Sequence, residues 1–193
     1  MDMILASNNP HKLREFREIL EPLGCHVISQ KEAGIDVDPD ETGDTFEENS
    51  AIKARSVYDI AKCAVIADDS GLEVDALGGE PGVHSARYGG TRDDKVHNDL
   101  VLKKLEGVPD EKRTARFVCA ITYINENGEE SRFLGRFEGR IGYKELGRNG
   151  FGYDPIFMVG DVSSAELSPD EKNAVSHRGK ALRMLAEYIK ERK

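Results

Sequence analysis

Apolar residues open the chain as a brief run, Met3 to Ala6, that is too short for a helix and is closed by Ser7-Asn8-Asn9; it reads as a buried strand. From Pro10 to Leu20 the pattern changes to helical spacing, with Leu13, Phe16 and Leu20 on one face, Asn9 as N-cap and Pro10 at the first helical position. His26 to Ser29 reads as a second strand. Thr45 and Glu48 make a capping box for a helix running to about Lys62, with Phe46, Ile52, Val57 and Ile60 as its apolar positions. A third strand rises from Ala64 and stops in Asp68-Asp69-Ser70-Gly71. Arg116–Ile124 and Glu130–Phe137 form a hairpin turned at Asn125-Glu126-Asn127-Gly128. Ser168-Pro169-Asp170-Glu171 caps a short helix, and a longer one starts near Ser176 with Ala181, Leu182, Leu185 and Ile189 as its buried stripe. Strands alternating with helices, plus one long hairpin, predict an α/β fold with a mixed sheet. With no repeat, low-complexity tract or long linker, residues 1–193 are expected to form a single domain.

Length and composition narrow the function. A chain of 193 residues can bury a full core, and 33% charged residues beside 38% hydrophobic ones describe a folded protein. The net charge of −9 argues against a partner such as nucleic acid, which calls for a basic face, yet leaves room for a small polyanion in a local basic pocket. Cys25, Cys63 and Cys119 form no Cys-x-x-Cys, which speaks against a disulfide framework or a zinc cluster. Met1-Asp2-Met3 carries no basic leader and no apolar run reaches membrane-spanning length, so the cytoplasm is the expected location, with no membrane partner.

The chemistry-bearing segments begin with Asp68 and Asp69. At the end of a strand they would be fixed at a solvent-facing edge, where an all-oxygen pair suits a hard cation such as Mg²⁺; an isolated pair would read as a solvated turn, and it is the matching set of anion-binding groups elsewhere in the chain that favours the cation. Ser7 to Lys12 joins a strand to a helix, a junction that offers backbone N–H groups, the helix's positive end and the Lys12 charge to a phosphate. It reads either so or as an ordinary N-cap with a surface lysine, and it is not a Walker A loop, since the glycines are absent. Glu41, within the acidic run Asp36–Asp44, is a candidate third carboxylate for the metal. Asn49 and Lys53 share a helix face. Asn149-Gly150-Phe151-Gly152-Tyr153-Asp154-Pro155 offers either an aromatic stacking surface for a planar base or a tight turn with its rings folded inward. Lys172, His177 and Arg178 form a short cationic cluster.

Taken in order, Ser7–Lys12, Asp68-Asp69-Ser70-Gly71-Leu72, Gly78-Gly79-x-Pro81-Gly82-Val83-x-Ser85-Ala86-Arg87-Tyr88, Gly150-Phe151-Gly152-Tyr153-Asp154-Pro155 and Ser176-His177-Arg178 resemble the inosine/xanthosine triphosphate pyrophosphatases, which clear non-standard purine nucleotides. The resemblance runs end to end. Ser7 stands where many members have threonine, which keeps the hydroxyl. It implies a long mixed sheet, two lobes around a deep substrate cleft, and a homodimer. It implies that Ser7, Asn8, Asn9, Pro10, His11 and Lys12 hold the triphosphate with help from Lys53. Glu41 and Asp69 would bind Mg²⁺, Asp69 would be the proton acceptor, and Ser70 would touch substrate. Phe151, Gly152, Tyr153, Asp154, Lys172, His177 and Arg178 would take the nucleoside side, and Asp68 would stand behind the metal ligands.

These roles suit cleavage between the α- and β-phosphates, which needs charge neutralisation, a base for the attacking water and cations along the leaving group. The alternative is a Maf-like pyrophosphatase acting on pyrimidine or modified nucleotides; the Ser-His-Arg and Phe-Gly-Tyr-Asp segments favour the purine branch. An aspartyl-phosphate phosphatase prefers an Asp-x-Asp spacing that Asp68-Asp69-Ser70 lacks. A non-catalytic nucleotide-binding module would bind nucleotide without hydrolysing it.

Overall fold

The computed structural model describes residues 1–192. Seven strands, β1 (Asp2–Leu5), β2 (His26–Ser29), β3 (Val65–Val74), β4 (Thr114–Ile124), β5 (Glu130–Ile141), β6 (Phe157–Val159) and β7 (Val162–Ser163), make one sheet in the order β2-β1-β3-β4-β5-β6-β7. β1 pairs parallel with both β2 and β3, whereas β6 pairs antiparallel with β5 and β7, so the sheet is mixed as the α/β expectation requires. The helices are α1 (Pro10–Leu20), α2 (Phe46–Ala61), α3 (Asp94–Lys104), α4 (Pro169–Val175) and α5 (His177–Lys190). Among the described residues no helix is long and apolar enough to cross a membrane.

The chain divides into two compact units: Met1–Asp69, Cys119–Gly135 and Arg178–Lys193 form the first, and Ser70–Val118 with Arg136–His177 form the second. In the first unit the strand pleat sorts the core into two layers. Met3 and Leu5 of β1 and Ala64 and Ile66 point to one side, where they pack with Phe16 and Leu20 of α1 and Ala181, Leu182, Leu185 and Ile189 of α5. Ile4, Ala6, Val65 and Ala67 point to the other side and meet Ala54 and Val57 of α2. Alternate residues of a strand face opposite ways, so one apolar run feeds both layers. The second unit packs Leu72 and Val74 of β3, Val101 of α3 and Leu105 just past its end, Phe117, Phe137, Ile141 and Phe157 into its own core. Within it Arg113, 2% exposed, donates from Nε to the Ile141 carbonyl at 2.8 Å, from Nη1 to that of Leu105 at 2.8 Å and from Nη2 to that of Gly142 at 2.6 Å.

Local expectations hold for α1, whose cap Asn9 accepts from the backbone N–H of His11 and Lys12, and for the hairpin turn, where Asn125 Oδ1 accepts from the N–H groups of Asn127 and Glu129. Other expectations need correction. Asp68 and Asp69 do not end a strand at a solvent edge: β3 continues through both to Val74, and they are 2% and 8% exposed. Cationic side chains lie on both faces of the strand here, Lys12 and Arg178 beside Asp68 and Lys53 beside Asp69. The capping box at α2 is half formed: Thr45 Oγ1 accepts from Glu48 N–H, but Glu48 Oε2 accepts from Asp44 N–H instead of returning to Thr45. Ile60 is 58% exposed, because α2 packs through Ala54, Val57, Tyr58 and Ala61 and Ile60 falls roughly a third of a turn off that stripe. Helix α3 has no counterpart in the hydrophobic pattern, since part of its buried face is His97 and Asn98.

Candidate active site

The pleat of β3 decides the geometry. Asp68 continues the Ala64/Ile66 side toward α1 and α5, and Asp69 continues the Val65/Ala67 side toward α2. Two adjacent carboxylates therefore meet different partners. Lys12 Nζ lies 2.8 Å from Asp68 Oδ1, and Arg178 Nε lies 3.2 Å from Asp68 Oδ2. Arg178, itself 4% exposed, also donates from Nη1 to Glu15 Oε2 at 2.8 Å, so α1, β3 and α5 are tied by one chain of alternating charges. Burial works to raise the Asp68 pKa, but Lys12, Arg178 and Lys53 together hold it well below the usual carboxylate range. Burial likewise opposes the Arg178 charge, and Asp68 and Glu15 more than restore it. Both stay ionised.

Asp69 behaves otherwise. Its Oδ1 accepts from Lys53 Nζ at 2.8 Å, while its buried Oδ2 has no hydrogen-bond partner. Burial, with repulsion from Glu41, pushes its pKa up to about 6 even though Lys53 pulls the other way. Lys53 Nζ also reaches Glu41 Oε2 at 3.3 Å, and the three carboxylates Asp69, Asp68 and Glu41 outweigh burial to raise the lysine's pKa. The loop carrying Glu41 is pinned to the start of α2: Asn49 Oδ1 accepts from Gly43 N–H at 2.8 Å and Glu48 from Asp44 N–H at 2.8 Å. A Cβ at Gly43 would lie 2.8 Å from Asn49 Oδ1, so this close approach admits only glycine without rearrangement.

Glu41 and Asp69 both meet Lys53 Nζ, and the buried Asp69 Oδ2 has no hydrogen-bond partner, so these two carboxylates are the residues that could hold a divalent cation. Among the described residues no group of three or more His, Cys, Asp or Glu side chains is placed to hold a metal ion. Two carboxylates fit Mg²⁺, which keeps several waters and takes substrate phosphate oxygens for the remainder.

The Ser7–Lys12 loop is built largely by its own side chains. Ser7 Oγ accepts from Asn9 N–H at 3.2 Å, Asn8 Oδ1 accepts from Lys31 N–H at 3.1 Å, and Asn9 Oδ1 takes the His11 and Lys12 N–H groups. The backbone N–H groups of Asn9, His11 and Lys12, expected to be offered to a phosphate, are thus taken up within the loop, while accepting at these oxygens leaves the Ser7 O–H and the Asn8 and Asn9 amide N–H groups able to donate. Pro10 and His11 are exposed at the start of α1.

Ser70 begins the second unit, half-buried on β3. There Phe151, Gly152, Tyr153, Asp154 and Lys172 do come together. Asp154 is 3% exposed; its Oδ2 accepts from Phe151 N–H at 2.9 Å and Lys172 Nζ at 2.5 Å, and its Oδ1 from Ser164 Oγ at 2.9 Å. Lys172 Nζ stands 5.1 Å from the Phe151 ring centroid. Tyr153 is turned inward, donating its hydroxyl to the Ser85 carbonyl at 2.8 Å, and burial raises its pKa well above the ordinary phenol value. Phe151 alone of these aromatics is open, at 48% exposed. His177 stacks on Phe117 with ring centroids 5.1 Å apart. Arg178, expected beside His177 on the nucleoside side, has its observed partners in the first unit. Glu15 and Ser164 were not legible as site residues; an ordinary glutamate on a helix and a serine in a loop carry no local signal.

Comparison with known proteins identifies the family. A family model described as the Ham1 family matches residues 3–188. The chain is 48% identical over 192 residues to a dITP/XTP pyrophosphatase of Bacillus subtilis (strain 168), covering 97% of this chain and 96% of that one. It is 50% identical over 192 residues to a dITP/XTP pyrophosphatase of Exiguobacterium sp., covering 98% and 97%. Its fold superimposes on the Staphylococcus aureus Ham1 protein with a TM-score of 0.93 at 41% identity, each chain covered completely. With a match that spans nearly every residue in both sequence and fold, the chain belongs to the Ham1 family.

Proposed function

We propose that this protein hydrolyses non-standard purine nucleoside triphosphates, those of inosine, deoxyinosine and xanthosine, to the monophosphate and pyrophosphate. One observation carries the reading furthest: Asp69 is a buried carboxylate raised to about 6, with one oxygen on Lys53 and the other without a partner. A general base works best with a pKa near the working pH. The relatives named dITP/XTP pyrophosphatase support the substrate class.

In this reading Glu41 and Asp69 hold Mg²⁺, which supplies charge neutralisation and a more acidic water when bound. Asp69 takes the proton of the attacking water. Lys53 and Lys12 lie along the phosphates, with Ser7 to His11 shaping the loop they approach and Ser70 touching substrate. Asp68 holds Lys12 and Arg178 in place. On the nucleoside side Phe151 stacks on the purine, Gly152, Tyr153, Asp154 and Lys172 build its surroundings, and His177 and Arg178 donate to the 6-oxo edge. Adenine carries an amino group there, so each donor left unpaired disfavours it by about 1–3 kcal/mol. The resemblance also supports a homodimer, which sedimentation of the purified chain checks, and a cytoplasmic location.

The test is a panel of nucleoside triphosphates with Mg²⁺, scored for pyrophosphate against inorganic phosphate. Pyrophosphate from inosine and xanthosine triphosphates, with adenosine triphosphate poor, is expected. Phosphate as first product, or preferred pyrimidine substrates, would refute the reading.

A further inference from the structure

Helix α3 is unusual in what it buries. His97 and Asn98 are each 2% exposed, although a helix needed only to cover the core would place apolar residues there. Both polar side chains, together with Asp94, are directed at one short loop. Asp94, His97 and Asn98 stand at i, i+3 and i+4, hence on one helix face. Asp94 Oδ2 accepts from Gly152 N–H at 2.8 Å. Asn98 Nδ2 donates to the carbonyl of the same residue, Gly152, at 3.2 Å and to Glu145 Oε1 at 2.9 Å. The His97 ring stacks on Tyr153, centroids 5.8 Å apart and 20° between planes, and its Nε2 lies 3.0 Å from the Thr91 carbonyl.

Both polar groups of Gly152 are thus held from a single helix. Gly152 has φ +62°, in the left-handed region, and a Cβ there would meet nothing within 4 Å. Its conformation is therefore demanded by the path of the backbone, not by crowding. The residue before it is Phe151, the open aromatic, so turning the Gly152 peptide swings the Phe151 ring.

We propose that Asp94 and Asn98 are positioning residues for the nucleoside, acting through Gly152 to set the plane of the Phe151 ring against a purine. The inference rests on the reading that this loop meets the nucleoside. It assigns to α3 a part in substrate recognition without contact to the substrate. Each lost hydrogen bond should loosen the ring and not the chemistry, since nothing on α3 approaches Asp69 through a bond described above.

The experiment compares Asp94→Ala, Asp94→Asn, Asn98→Leu, Phe151→Ala and the double variant Asp94→Ala/Phe151→Ala. Binding of inosine monophosphate and of pyrophosphate is measured separately by calorimetry, and KM and kcat are measured with inosine triphosphate. Asp94→Ala, at an exposed position that should fold normally, is expected to raise KM and weaken inosine monophosphate by about three- to tenfold, with kcat and pyrophosphate binding within about twofold. Asp94→Asn keeps an acceptor and should stay near wild type. The double variant should be no worse than Phe151→Ala alone, which a merely structural role would not produce. Multiplying losses in the double variant, or equal weakening of pyrophosphate, would overturn the clamp. If Phe151→Ala weakens inosine monophosphate while the Asp94 and Asn98 variants do not, the clamp falls and the nucleoside-side reading stands. If Phe151→Ala leaves inosine monophosphate binding unchanged, that reading falls and takes the inference with it.

Discussion

Replacing Asp69 by asparagine should make the protein more stable while removing most of its activity. In the folded chain the Asp69 pKa is raised from 3.8 to about 6, chiefly by burial. Folding therefore favours the protonated carboxyl, and the ionised form costs the folded state at any pH above about 6. That difference corresponds to ~3 kcal/mol at most, and relaxation around the site brings it nearer ~2 kcal/mol. Asparagine imitates the neutral carboxyl, so the variant escapes this cost. For a chain of this size ~2 kcal/mol is about 4–8 °C in Tm. The sign has a pH signature: the gain should be full above pH 7, shrink as pH falls through about 6, and vanish near pH 4, where the wild-type carboxyl is protonated folded or unfolded. Melting curves in chelator at several pH values read it directly. Turnover should drop by ~10²–10⁴-fold through loss of the base alone. Saturating Mg²⁺ should raise the wild-type Tm and close the gap, because the ion binds the native carboxylate. A variant that melts at or below wild type at pH 7.5 in chelator would refute the claim that Asp69 is held in an unfavourable charge state.

Three further outcomes are expected. At low Mg²⁺, kcat/KM should fall as pH drops through about 6, since Asp69 must be ionised to accept a proton, and added Mg²⁺ should move that limb to lower pH; a limb indifferent to Mg²⁺ would separate the base from the metal site. Arg178→Ala should destabilise by about 3–5 kcal/mol in urea melts, because it removes an ion-pair partner from the fully buried Asp68; a loss under ~1 kcal/mol would contradict the charge chain. Gly150→Ala should raise KM for inosine triphosphate at least several-fold, as a Cβ would lie 2.2 Å from Asp154 Oδ2 on a residue with φ +79°, and unchanged kinetics would show that Asp154 does not fix the loop.

Legibility followed the reach of each interaction. The cap of α1, the buried stripes of α1 and α5 and the hairpin turn are local, and Asn9, Leu182 or Asn125 declare them within a few residues. β3 was misread at its end because a carboxylate pair looks like a stop until its partners are known, and those partners, Lys12, Lys53 and Arg178, lie 56, 16 and 110 residues away. α3 escaped periodicity because His97 and Asn98 occupy positions where the pattern looks for apolar side chains. Likewise Ile60 counts as apolar in any pattern, and only the packing of α2 shows that nothing in the core is opposite it. Among the candidate site residues the carboxylates and lysines were found by type, whereas which carboxylate meets which cation was set by the pleat.

That pleat also decides what evolution or an engineer can exchange. Asp68 and Asp69 are neighbours in sequence but inhabit opposite sides of a sheet, so neither can stand in for the other. Sliding a carboxylate by one position along β3 is equivalent to carrying it through the wall. A suppressor of Asp69→Asn is therefore not to be sought next door at Asp68. Two residues back, Ala67 shares the α2 side but lies fully buried in the apolar layer with Ile4, Ala54 and Val57, so an aspartate there would be a stranded charge and no replacement either.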